Sequence, residues 1–235
     1  MPDTLTAKAT NVLDISAYGA EVKAFLANKE ILAHIMKGCV EEYADCSIDD
    51  IVHKYIEGVP QINAAVSVTD APASEGTALC DIRFFAPAPG EDGALIKLII
   101  SVDASHKDDP ADSLTQRSIQ YCCQMLSEEE NVEFDRLDGV RLKKVCSISI
   151  CLSSTNVPNS IVRFRMDKED MIGHTDIDRR EYDMMQVIML RLGQPDQTQL
   201  GTILHILDVV FSNQLELTDK KNTLKKDYGI QMTIA

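Results

Sequence analysis

"CDIRFFAPAPGEDGALIKLIISVDASHK", residues 80–107, is the stretch whose reading decides the fold. ALCDIRFFA (78–86) alternates as a strand does, PAPGEDG (87–93) supplies turn residues, and ALIKLIISVD (94–103) is a second, apolar strand, so an antiparallel hairpin is predicted. With the turn there, positions whose numbers sum to about 180–184 face each other, and Asp81 and Asp103 fall at the same end of the ladder. A carboxylate closing an apolar strand is costly unless it has a partner. Two that converge where strands end are what a hard divalent cation needs, since Mg²⁺ takes one or two protein carboxylates and fills its octahedron with water and phosphate oxygens.

Ahead of the hairpin, Val22, Phe25, Leu26, Ile31, Leu32, Ile35, Met36 and Val40 recur at helical spacing from Ala20 to about Tyr43, with Asn28 and Gly38 as interruptions. Ser47 followed by Asp50 is a variant of the capping box and opens a short helix to about Ile56. Residues 58–78 read as a loop or short extended pieces. After the hairpin, residues 112–127 return to helical spacing through Leu114, Cys122, Met125 and Leu126, with either Ser118 or Ile119 on the inner stripe and Asp112 or Ser113 as the cap. KKVCSISICLS (143–153) and SIVRFRM (160–166) are further strands, YDMMQVIMLRLG (182–193) fits a strand or a helix, and residues 199–213 and 218–227 read as helices. The expected fold is α/β, a mixed central sheet flanked by helices in α-β-β-β-α-β order, with extra helices at the C-terminal end. Residues 1–18 read as a flexible arm and 19–235 as a single domain whose helical extension begins near residue 199.

A net charge of -14 excludes nucleic-acid binding by overall field, so any contact with DNA must come from local basic ground. Seven cysteines, an odd count without a C-x-x-C pair, suit buried reduced thiols better than disulfides or zinc. MPDTLTAKATNVLD lacks the basic-then-apolar pattern of a secretory signal, and no apolar run reaches about 18 residues, so a cytoplasmic protein with no membrane partner is expected. There is no phosphate-binding glycine loop, no nucleophile elbow and no paired-histidine zinc helix, which removes nucleotide hydrolases, serine hydrolases and zinc proteases from consideration.

Asp81 on a strand, then Asp103-x-Ser105 at the end of the next, followed by a helix and another strand, resembles the core of the PD-(D/E)XK nucleases. The wording of residues 80–107, of RSIQYCCQMLSEEENVEFDRLDGVRLKKVCSISICLS (117–153) and of LKKDYGIQMT (224–233) is similar to the PD-(D/E)XK nuclease family transposases, relatives of the recombination-promoting nucleases. The resemblance runs from about residue 20 to the end. It implies a restriction-endonuclease-like core and a Mg²⁺- or Mn²⁺-dependent DNA endonuclease associated with transposition or recombination. It also implies Asp81 and Asp103 as metal ligands, with Asp103 standing where the family has Glu. Ser105 stands where this branch has Gln and the wider superfamily Lys, so the side chain that orients water or steadies charge is replaced by a short neutral hydroxyl. Lys107 is the substitute nearest in sequence. Because of Ser105, the alternative is a degenerate nuclease fold acting as a nucleic-acid- or protein-binding module of a mobile element or prophage. A homodimer is left open.

Other residues carry two readings each. Glu42, in CVEEYAD (39–45), is either the acid that superfamily members bring from a preceding helix or a solvated helix carboxylate. Arg117 and Tyr121, one helical turn apart, either grip phosphate and stack on a base or form a structural pair. Arg163 and Arg165, with Arg141, Lys143, Lys144, Lys220, Lys221, Lys225 and Lys226, make either backbone-binding ground or a solvated face. His106 is a general base, a ligand or an exposed loop residue, and His174 is assigned no role.

Overall fold

The computed structural model describes residues 24–63, 80–89, 96–106, 111–133, 144–152, 158–193, 202–212 and 214–232. After a helical turn at residues 24–26, helix α1 runs over Lys29–Cys39. It starts where it does because Asn28 is extended and its side chain accepts from the backbone N–H groups of Glu30 and Ile31 at 2.8 and 3.3 Å. The interruption expected at Asn28 is therefore a helix cap. Gly38 does not interrupt α1; a Cβ built there would stand 3.1 Å from Ile203, so glycine allows the close approach of a later helix.

A 3₁₀ turn (Glu41–Tyr43) follows, then α2 (Ile48–Asp50), continued as a π-helical turn over Ile51–Tyr55. Ser47 caps α2, accepting from the Asp50 N–H at 3.0 Å and donating to the Asp50 carboxylate at 2.8 Å, as the capping-box spacing predicts. Next come β1 (Gln61–Asn63), β2 (Cys80–Ala88), β3 (Ile96–His106), α3 (Ala111–Glu133), β4 (Lys144–Leu152), β5 (Ser160–Arg165), α4 (Arg179–Tyr182), β6 (Met185–Leu192), α5 (Ile203–Phe211) and α6 (Leu217–Tyr228). Gly229, at φ +72°, closes α6 in the left-handed conformation that glycine adopts without strain.

The strands form one six-stranded mixed sheet in the order β1-β2-β3-β4-β6-β5. β1 and β3 each run antiparallel to β2, β4 is parallel to β3 across α3, β6 is parallel to β4, and β5 is antiparallel to β6. Alternation then sorts the side chains. Ile82, Phe84 and Ala86 of β2, Cys146, Ile148 and Ile150 of β4, and Ile188 and Leu190 of β6 join α1 and α5 in the larger core. Val145, Val187 and Met189 form the smaller core with Cys122 and Met125 of α3. The sheet thus has helices on both faces, and each fully buried Ile or Leu contributes roughly 1.5–3 kcal/mol.

The alternative left open at residues 182–193 resolves into the end of α4 followed by the strand β6. Two local expectations are corrected. Asp112 and Ser113 lie inside α3 rather than capping it. β3 runs on past Asp103 to His106, because the parallel partner β4 continues the ladder through His106↔Leu152, so positions 105 and 106 are strand rather than loop. The six described cysteines are free; Cys39, Cys122 and Cys146 are buried, and Cys123 is exposed.

Candidate functional site

The hairpin register sets Asp81 directly opposite Asp103. The same row continues as Asn63 on β1, Ser149 on β4, Met189 on β6 and Val162 on β5. Directly opposed positions share one face, with Cβ atoms roughly 4.5–5.5 Å apart. Since Ile82, Phe84 and Ala86 belong to the α1 side, this row belongs to the α3 side. Like charges at directly opposed positions of a ladder are disfavoured unless something offsets them. Position 105 lies two residues beyond Asp103 on the same strand, opposite Cys151. The side chains of Asp81, Asp103, Ser105 and His106, and the whole of Lys107, lie outside the described residues.

What holds α3 over this row is visible. Ser118 and Ser149 hydrogen-bond through their hydroxyls at 2.8 Å, both buried. Thr115 donates to the Met189 sulfur at 3.1 Å, and the Cys122 thiol donates to the Gln186 carbonyl at 3.6 Å. Burial pushes the Cys122 thiol up to about 12, so it is an inert packing group. Because Ser149 stands beside Asp103, the turn of α3 that carries Arg117 and Tyr121 lies over the face that carries the acid pair. Arg117 is exposed, and Tyr121 is partly buried against the smaller core. Ser118 and Ser149 were not singled out as site residues; the signal available was a serine at a stripe position that helical spacing left undecided against Ile119. Ser118 is 4% exposed and Ile119 37%.

Glu42 is placed elsewhere, which corrects its reading as a metal-proximal acid. It pairs with Lys144 at 2.7 Å. Lys144 stands opposite Leu98, five residues before Asp103 on β3, a separation of roughly 16 Å along the strand, and on the α1 side of the sheet. Lys144 is itself buried and bonds Asp183 at 2.9 Å, so it is no part of a basic surface. Asp183 also receives Arg179 at 3.0 Å. Among the described residues, Glu42 Oε2, Asp183 Oδ1 and both amide atoms of Gln186 are buried without a hydrogen bond, which is where internal water is commonly found.

Arg163 and Arg165 are likewise not gathered beside the acids. They belong to the α1 side of the sheet, three strands from β3 or roughly 14 Å, and both reach Glu41, at 3.3 and 3.4 Å. Arg179 joins them on the same carboxylate at 3.3 Å. The hydrogen bond from Arg179, then the surrounding guanidinium charges against a small desolvation cost, hold the Glu41 carboxyl below the usual range. Lys220, counted above with the basic tail, is buried and donates to the Val210 carbonyl at 3.0 Å.

Among the described residues no three His, Cys, Asp or Glu side chains come together as a metal site. No helix among them is long and apolar enough to cross a membrane. No protein-family model, no curated protein and no solved structure matches the chain.

Proposed function

We propose that the chain is a PD-(D/E)XK-type DNA endonuclease, with Asp81 and Asp103 as carboxylate ligands of Mg²⁺ or Mn²⁺. The observation that carries this reading is the direct opposition of the two aspartates in the hairpin register. Supporting it is the element order α1-α2-β1-β2-β3-α3-β4, with β1 to β4 adjacent in the sheet and β4 parallel to β3, an order compatible with the core that the resemblance implies. The residue types suit a hard cation: two aspartates occupy directly opposed register positions, with Asn63 and Ser149 at the adjoining positions of the same row.

When bound, such an ion acidifies a water and offsets the charge that builds on a phosphodiester under attack. The chain's own residues do the rest. Asp81 and Asp103 hold the ion, and position 105 follows on the same face of β3. Arg117 holds a backbone phosphate, and Tyr121 offers a ring for base stacking. A seryl hydroxyl at 105 cannot supply the charge of lysine or the reach of glutamine, and loss of one such donor costs about 10²–10³ in rate in well-studied sites. A slow enzyme follows, with Lys107 the nearest cation in sequence. Association with transposition or recombination, and a cytoplasmic setting, belong to the same reading.

Incubation of the purified chain with supercoiled and single-stranded DNA plus Mn²⁺ tests it, beside an Asp81→Ala control. Mn²⁺-dependent nicking that disappears in the control is expected. Cleavage that persists in the control comes from another enzyme and removes the claim. The second reading, a degenerate nuclease fold that binds a partner or nucleic acid, is favoured by Ser105 and by the net charge of -14. Ser105→Lys separates the two. A gain in cleavage means that one side chain limits a competent site, and no gain together with an inactive parent favours the binding module.

A further inference from the structure

Alternation on β2 sets positions 81, 83 and 85 on the α3 side of the sheet, since Ile82, Phe84 and Ala86 belong to the larger core on the other side. An acid, a base and an aromatic residue, Asp81, Arg83 and Phe85, thus follow one another along one face. Each step is two residues of extended strand, about 6.4–6.8 Å.

Arg83 adjoins the acid pair in two directions. It is two residues from Asp81 on its own strand, and it pairs with Ser101, which makes Asp103 its diagonal neighbour across the hairpin. Diagonal neighbours stand roughly 7–8 Å apart, within reach of a long side chain. Two rows flank the acid row on this face, and each holds one arginine. Arg191, in the row of Ser105, is on β6, two strands from β3 or roughly 9–10 Å. Arg83 is on the strand that carries Asp81 itself, and so is the closer cation.

This part of the face is open to a ligand. Among the described residues α3 packs chiefly on β4 and β6, which leaves β2 outside its cover. Phe85 is 42% exposed, and Arg83 is partly exposed. A single exposed ring needs no explanation, but this one continues a line that starts at a candidate metal ligand. Each member of the line suits a different part of a nucleotide. A carboxylate holds a metal against the phosphate under attack, a guanidinium forks onto phosphate oxygens, and a ring takes the face of a base. That last contact requires a base outside a duplex stack, so the line fits a single strand.

We propose that the α3-side face of β2 is a track for one unpaired nucleotide of the DNA strand being cut. Arg83 holds the phosphate next to the one at the metal, and Phe85 stacks on the neighbouring base. The proposal rests on the endonuclease reading above and adds its substrate class, DNA with unpaired bases. Arg83 also sets a fixed positive charge beside the reacting phosphate, which the hydroxyl of Ser105 does not carry.

Fluorescence anisotropy on the full chain, with Ca²⁺ in place of Mn²⁺, tests the track with one labelled oligonucleotide offered as a single strand and as a duplex. The wild type is expected to bind the single strand more tightly. Phe85→Leu, which keeps an apolar side chain and removes the ring, is expected to weaken single-strand binding about 5- to 150-fold and to leave the duplex unaffected. Its thermal unfolding, unchanged at an exposed position, separates lost stacking from lost fold. Arg83→Gln is expected to reduce the slope of log affinity against log salt by about 0.7, one phosphate of a single strand, and Arg83→Lys to keep the wild-type slope. A duplex bound at least as tightly as the single strand, a Phe85→Leu variant that binds like the wild type, or an unaltered slope in Arg83→Gln would overturn the track. Mn²⁺ titration without DNA keeps the two readings apart. A wild-type Mn²⁺ site that is lost in Asp81→Asn, together with any of those three results, removes the track and leaves the endonuclease reading standing, whereas a wild type with no Mn²⁺ site removes both.

Discussion

Asp81 and Asp103 stand directly opposed on one ladder, a placement that disfavours two like charges and that, under the proposed function, a bound cation would offset. Without metal, Asp81→Asn or Asp103→Asn should raise stability by about 0.2–1 kcal/mol, the size of a cross-strand pair, while abolishing cleavage. Thermal unfolding in chelator, beside the cleavage assay, measures both effects; a variant that is less stable and still active contradicts the account. Ser118 makes a further case. Removing its hydroxyl leaves the buried Ser149 hydroxyl without this partner, so Ser118→Ala should cost about 1–3 kcal/mol in urea unfolding. The opposition of 81 and 103 was legible in the sequence, because a two-residue period and one turn fix a hairpin register, and the observed pairs do sum to 184. Ser118 was not, because at 100° per residue an inner stripe is broad enough to hold either 118 or 119.

The elements around β4 and β5 show where periodicity stops informing. Alternation correctly set Arg163 and Arg165 on one face of a strand, but no pattern says which element lies over that face. The answer is the 3₁₀ turn, whose Glu41 collects three guanidiniums and whose Glu42 meets Lys144. Lys144→Met should therefore destabilise by about 3–5 kcal/mol, since Glu42 and Asp183 would stay buried without their shared cation. A midpoint shift in urea unfolding near zero would show the network to be dispensable. Glu41 adds a pH effect of definite sign. Its folded pKa lies below the unfolded one, so its stabilisation is fully present above the ordinary glutamate value and is lost as pH falls through the lowered value. Glu41→Gln should flatten that acid limb of the melting curve slightly, because the group is half exposed and screened by salt. An unchanged acid limb contradicts the pairing.

Taken whole, the molecule is a mixed sheet between helices, and its two faces divide the work: arginines and a buried ion network on one, the acid row on the other. The longer helices and strands were readable because their hydrophobic period persists over many residues, while the three-residue β1 and the four-residue α4 are too short to carry a period and β6 fitted either kind. Burial of Lys144 and Lys220 was not readable, since lysine on a strand or helix reads as solvated until the neighbouring elements are known. A chain of net charge -14 that meets DNA needs a cation at the point of contact, and the opposed aspartates are where the account places it. Calorimetric titration of Mn²⁺ into the metal-free protein, repeated on Asp81→Asn and Asp103→Asn, tests this most directly. A saturable site present in the wild type and absent from both variants is the predicted result. Equal binding by all three proteins, or none by the wild type, would contradict it.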